Sequence, residues 1–213
     1  MAGTRTRRGA GLEQSRTARA AALADELHHE CTFLLELYRK KEAFSEELTV
    51  GGERLVTVPL LSSQLSPNDR LWRLYSALQQ CRNLLERAIG LEEGVGNDGD
   101  RVQYESQKKT VRDRLGHLLA STRLLLEDGA GTAAFTPDPK NTEIGSPVNG
   151  GPFQLKLWIY RIFNELEYWT LAASKTLKAL HSDGAAPKER GTRGGQEGGG
   201  PGDEIVEIGR SSL

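Results

Sequence analysis

The chain has 213 residues, of which 37% are hydrophobic, and its 28 basic and 29 acidic side chains leave a formal net charge of −1. That length supports one globular domain with polar ends. The balanced charge gives no general reason to expect nucleic acid or a membrane surface as a partner, and no stretch reaches the ~20 consecutive apolar residues of a membrane span.

Residues 1–12 include Arg5, Arg7 and Arg8 but no apolar run of the kind a secretory leader needs. A flexible basic tail with no signal peptide is expected there. A first helix is expected over 13–44, with Leu23, Leu27, Leu34, Leu37 and Tyr38 on its apolar side. Within it, Glu26-Leu27-His28-His29 contains the Glu-x-x-His pair used by di-iron bundles, which need a second such pair on another helix. Three residues before His117 stands Arg114, and three before His181 stands Lys178. No metal and no other cofactor is therefore expected.

The second helix has the cleanest pattern. Leu71, Leu74, Leu78, Cys81, Leu85 and Ala88 alternate steps of three and four after Ser66-Pro67-Asn68-Asp69, which supplies an N-cap, a proline at the first helical position and an acid at the third. Cys31 and Cys81 fall in the middle of helical patterns. With no leader and no Asn-x-Ser/Thr sequon, they read as free, half-buried thiols. Gly94-Val95-Gly96 lacks the Lys-Ser/Thr of a phosphate loop. Asp98-Gly99-Asp100 lacks the closing glutamate of a calcium loop. No serine or cysteine has the strand-turn-helix surroundings of a nucleophile elbow, and enzyme activity is not expected.

A third helix is expected over 100–127, with Tyr104, Val111, Leu115, Leu118, Thr122 and Leu125 in register. A fourth, over 152–182, gathers Leu155, Trp158, Ile162, Leu166, Trp169, Ala173, Leu177 and Leu180 on one face. On the same helical wheel Phe153 falls opposite that stripe, with Leu157 and Tyr160 near it and Lys156 one turn on. Single exposed apolar residues are ordinary. An aromatic beside a cation is also the make-up of a protein-binding patch. Residues 183–213, rich in glycine and poor in apolar side chains, read as a disordered tail. Its closing Ser211-Ser212-Leu213 has the spacing of a carboxylate-capture motif, which three terminal residues match easily.

The connections between helices are about 20, ten and 20 residues long, and a 25-residue helix of about 37 Å needs at least about eleven extended residues to run back along. Only the outer two connections can do that. The expected fold is an all-α, long-chain four-helix bundle of up-up-down-down topology occupying 13–182.

The run from Gly150 to Thr170, G-G-P-F-Q-L-K-L-W-I-Y-R-I-F-N-E-L-E-Y-W-T, resembles the last helix of the ciliary neurotrophic factor group of interleukin-6-type four-helix cytokines. The likeness runs through Phe153 and Lys156 at the family's aromatic-x-x-lysine spacing, Lys156-Leu157-Trp158, Glu165-Leu166 and Trp169-Thr170. Leu35-Glu36-Leu37-Tyr38 is a weaker likeness in the first helix. The resemblance implies a neurotrophic cytokine, held in the cytoplasm and released by a non-classical route, that assembles receptor chains to trigger JAK-STAT signalling. It implies binding of the leukaemia inhibitory factor receptor at Phe153 and Lys156, with Leu157 and Tyr160 beside them. The outer faces of the first and third helices would bind the shared signal-transducing receptor. The ciliary neurotrophic factor alpha receptor is the third candidate partner, although Leu171 to Thr176 lacks the charged pattern of the family's site for it. Cardiotrophin-type relatives fit the same features. The alternative is an intracellular helical-bundle adaptor whose exposed aromatics dock a cytosolic protein.

Overall fold

The computed structural model describes residues 5–45, 47–48, 50–62, 64–92, 100–129 and 151–185, and among these every regular element is a helix. Helix α1 spans Arg5–Lys41, α2 Pro67–Glu92, α3 Asp100–Gly129 and α4 Pro152–Ala185. Helix α1 thus begins inside the stretch expected to be a tail. Nothing between residues 5 and 13 is proline, and extending a helix already nucleated by packed turns requires little. At the other end, residues 183–185 belong to α4. Residues 1–4 and 186–213, including Ser211 and Leu213, lie outside the described residues.

Helix α1 packs against α3 and α4, and α2 packs against the same two; among the described residues the backbone of α1 does not closely approach that of α2, nor that of α3 the backbone of α4. The stripes expected from periodicity line this core. Leu27, Leu34 and Tyr38 of α1, Leu74, Leu78, Cys81, Leu85 and Ala88 of α2, and Val111, Leu115 and Leu118 of α3 are buried with Trp158, Ile162, Leu166, Trp169, Ala173 and Leu177 of α4. Leu23, Leu37, Leu71 and Leu155 are half-buried against them. Leu180 is half-buried as well. The two cysteines are free and buried. Burial pushes the Cys31 thiol up to about 12 and raises Cys81 well above its ordinary range, so both are protonated at neutral pH.

The helix ends follow local chemistry. Ser66 Oγ accepts from the Asp69 amide at 3.1 Å and donates to the Asp69 carboxylate at 2.6 Å, capping α2 as its sequence implied. Pro152 opens α4, where the Gly151 carbonyl accepts from the Gln154 amide at 2.9 Å. The end of α1 has no glycine, yet it closes as a Schellman motif. The Phe44 amide donates to the Arg39 carbonyl at 3.0 Å and the Ala43 amide to the Lys40 carbonyl at 3.2 Å, with Ala43 in the left-handed region at φ 53°. The ring of Phe44 then meets that of Tyr38 at 6.1 Å, completing the motif's apolar contact. Because a Cβ disfavours the left-handed conformation, Ala43→Gly is expected to stabilise the protein by about 0.5–1 kcal/mol. A urea midpoint that stays put or falls would show that the turn is not held in this geometry.

Candidate functional site

The first turn of α4 presents Phe153 with 60% of its surface exposed. One turn on, Lys156 is exposed, and its ammonium lies 2.5 Å from a Glu42 carboxylate oxygen. Leu157 is half-buried. The backbone here is anchored to α1, because the Tyr38 hydroxyl donates to the Lys156 carbonyl at 3.1 Å.

Tyr160 does not join this surface. It is 2% exposed. Helix periodicity places it opposite the core stripe of α4, yet it belongs to the core cluster. The last turn of α1 and the α1–α2 connection cover it. The Schellman turn sends Phe44 back over α4, where its ring meets that of Tyr160 edge-on at 5.5 Å. The Tyr160 hydroxyl donates to the Leu48 carbonyl at 3.2 Å and accepts from Arg39 at 2.5 and 3.0 Å. The expected four-residue patch is therefore reduced on the surface to Phe153, Lys156 and the edge of Leu157.

The same connection is tied down further along α4. Glu165 accepts from the Arg54 guanidinium at 2.9 and 3.3 Å, from the Leu55 amide at 3.2 Å and from the Trp169 indole at 3.2 Å. Burial works against the charge of Arg54, but Glu165 outweighs it and leaves the guanidinium more firmly protonated than usual. Arg54 also lies 3.6 Å over the ring of Tyr168, and Leu55 and Val56 enter the core. None of these ties was read from the sequence, although Glu165 gave a signal. It is a carboxylate on the buried side of a helix, four residues before Trp169, and such a group needs partners.

Beside Phe153 and Lys156 a run of charged contacts crosses this end of the bundle. Glu42 is 3.3 Å from Lys41, Lys41 is 2.8 Å from Glu92, and Glu92 is 2.8 Å from Lys108. Lys156 is thus one end of a run that reaches all four helices. An exposed aromatic on a rigid helix next to an oriented ammonium is suited to contact a second protein. The Glu26 carboxylate is taken up by Arg114, and His28 Nδ1 lies 3.5 Å from the Thr170 hydroxyl. No helix among the described residues is long and apolar enough to cross a membrane. No protein-family model matches the chain, and no curated protein matches it in sequence.

Proposed function

We propose that the chain is a long-chain cytokine of interleukin-6 type, resembling the ciliary neurotrophic factor group, which acts by binding and catalyses nothing. Phe153 and Lys156 engage the leukaemia inhibitory factor receptor, while other faces recruit the shared signal transducer and, in some form, an alpha receptor. Storage in the cytoplasm and release by a non-classical route belong to the same reading. The observation that carries it is the exposure of Phe153 on the outer side of α4, with Lys156 on the next turn, inside the run that resembles the family.

Contacts between helix ends support the up-up-down-down arrangement. Lys41 and Glu92 bring the ends of α1 and α2 together, Arg16 in the first half of α1 meets Asp128 at the end of α3, and Arg70 at the start of α2 lies 3.4 Å from Asp183 at the end of α4. The first two helices parallel and the last two antiparallel to them would give these pairings.

Phe153→Ala opens no cavity, so stability should stay within about 0.5 kcal/mol of the parent. Binding of the leukaemia inhibitory factor receptor ectodomain should weaken by about 2 kcal/mol, roughly thirtyfold, as for a central aromatic anchor. Lys156→Ala is a less clean change than its exposure suggests, because it leaves the Glu42 carboxylate, only 8% exposed, with Lys41 as its remaining cation among the described residues. The double variant should keep the shared receptor and act as an antagonist. Surface binding of both receptor ectodomains measures this. Unchanged affinity would remove the site assignment, and failure of the parent to bind any ectodomain of this receptor class would favour the adaptor reading.

A further inference from the structure

Next to Tyr160, one turn beyond Lys156, a cleft of about 330 Å³ opens between α4 and residues 48 and 50–54. Arginines 39, 54 and 161 all line it. Their charges are not equally matched. Arg54 is paired with Glu165, as described. Arg39 and Arg161 have no carboxylate partner among the described residues; they are held in place by neutral acceptors. Nε and one terminal nitrogen of Arg39 donate to the Tyr160 hydroxyl, whose own proton is directed to the Leu48 carbonyl. Arg161 donates one terminal nitrogen to the Glu53 backbone carbonyl. Each guanidinium is oriented, yet each keeps its full charge and spare N–H groups for something else.

The cleft is shaped for this. Gly52 has φ +132°, and a Cβ built on it would come within 3.0 Å of the Arg161 guanidinium, so the backbone lies directly on that side chain only because the residue is glycine. Asn164, also on the wall, has its amide nitrogen engaged by the Tyr160 carbonyl at 2.8 Å. The remaining carboxylate on the wall, Glu53, belongs to an exposed residue, where water screens it.

We infer that the cleft beneath residues 50–54 is an oxyanion site, taking a sulfate or phosphate group between the guanidinium groups of Arg39 and Arg161. Guanidinium forks match such groups with paired, charge-assisted hydrogen bonds. The volume exceeds that of one tetrahedral ion, so the group can be a free ion or be carried on a sugar. The inference is independent of the receptor reading, since it concerns the isolated chain.

The test follows the arginine Nε–H resonances of the intact chain in nitrogen-15 spectra while sodium sulfate or inorganic phosphate is added, against sodium chloride at equal ionic strength. The Arg39 and Arg161 signals should shift to saturation with sulfate and phosphate and not with chloride. Arg161→Gln should weaken binding about tenfold or more, the loss of one charge-assisted fork. Arg161→Lys should recover part of it. Amide dispersion in the same spectra shows that the variants are folded. Gly52→Ala, which removes no charge, should also weaken binding by displacing Arg161. Glucose 6-sulfate separates the sources: affinity well above that of inorganic sulfate assigns a sugar-borne group, and equal affinity assigns the free ion. Shifts that rise linearly without saturating, or that are the same in Arg161→Gln as in the parent, overturn the site.

Discussion

Trp169→Ala should lower the unfolding free energy by about 3–5 kcal/mol, the range for removing a large buried aromatic. Trp169 is 0% exposed, so truncation leaves a cavity lined by the core. It also takes away the indole N–H that Glu165 accepts at 3.2 Å. Glu165 keeps Arg54 and the Leu55 amide, so the main loss is packing. Native domains are stable by only about 5–15 kcal/mol, so this one change would remove about a fifth or more of the total. In a protein of this size it corresponds to a fall in melting temperature of roughly 6–20 °C. Trp169→Phe should lose much less, because most of the ring volume stays. Urea denaturation followed by far-ultraviolet circular dichroism separates the two variants. Equal midpoints for Trp169→Ala and the parent would mean that the residue is not in the core. The contrast with Phe153→Ala is the useful one: two aromatics of one helix, one expected to carry stability and the other binding.

Glu92→Gln is expected to destabilise by an amount near the lower end of the ~3–5 kcal/mol seen when a buried ion pair loses one partner. The Glu92 carboxylate accepts from Lys41, Lys108 and the Tyr104 hydroxyl, each at 2.8 Å, and so ties together the ends of α1 and α2 and the start of α3. Lys108 is 3% exposed and would be left with Glu105 at 3.0 Å, a partner that is itself 45% exposed. That surviving pair is why the lower end is expected. Replacing Glu92 and Lys108 together by methionine should recover a good part of the loss, since no unpaired charge then remains at Lys108. Urea midpoints for the single and double variants check this. A double variant no more stable than Glu92→Gln would show that the pair contributes more than it costs to bury.

The same group sets an acid response. Burial pushes the Glu92 carboxyl up, but the hydrogen bonds from Lys108 and Lys41 outweigh it and hold the group below its ordinary value of 4.5. A carboxyl depressed on folding stabilises above its unfolded value, and that contribution is lost as pH falls through the folded value. The parent should therefore lose stability from about pH 5 downward more steeply than Glu92→Gln, and the gap between them should close in acid. Asp25 is also lowered, by Lys178 and Ser174, and adds to the slope in both proteins alike. Parallel curves for the two proteins between pH 5 and pH 3 would mean that the fold does not hold the Glu92 carboxyl below its ordinary value.

Much of this architecture follows from the sequence alone, because helix periodicity is a local property. The three-and-four spacing of Leu74, Leu78, Cys81, Leu85 and Ala88, and the capping residues before it, need no tertiary information to be read, and both hold. So do the buried stripe of α4 and the outward direction of Phe153, since side-chain directions along a helix are set by its 3.6-residue turn. The tertiary structure alone decided which outward residues stay outside. Tyr160 and Phe153 share a side of α4, but only Tyr160 is covered. The cover is Arg39 of α1 together with a connection of irregular backbone, whose path depends on a left-handed Ala43 that no glycine announces. Charged groups were equally illegible. Glu92 and Lys108 are polar in any one-dimensional pattern, and they are buried because each neutralises the other across two helices. Periodicity predicts the direction in which a side chain leaves its own helix. What meets it there is a property of the other segments, and for Arg39, Arg54, Arg161 and Glu165 those segments are brought together only by the fold.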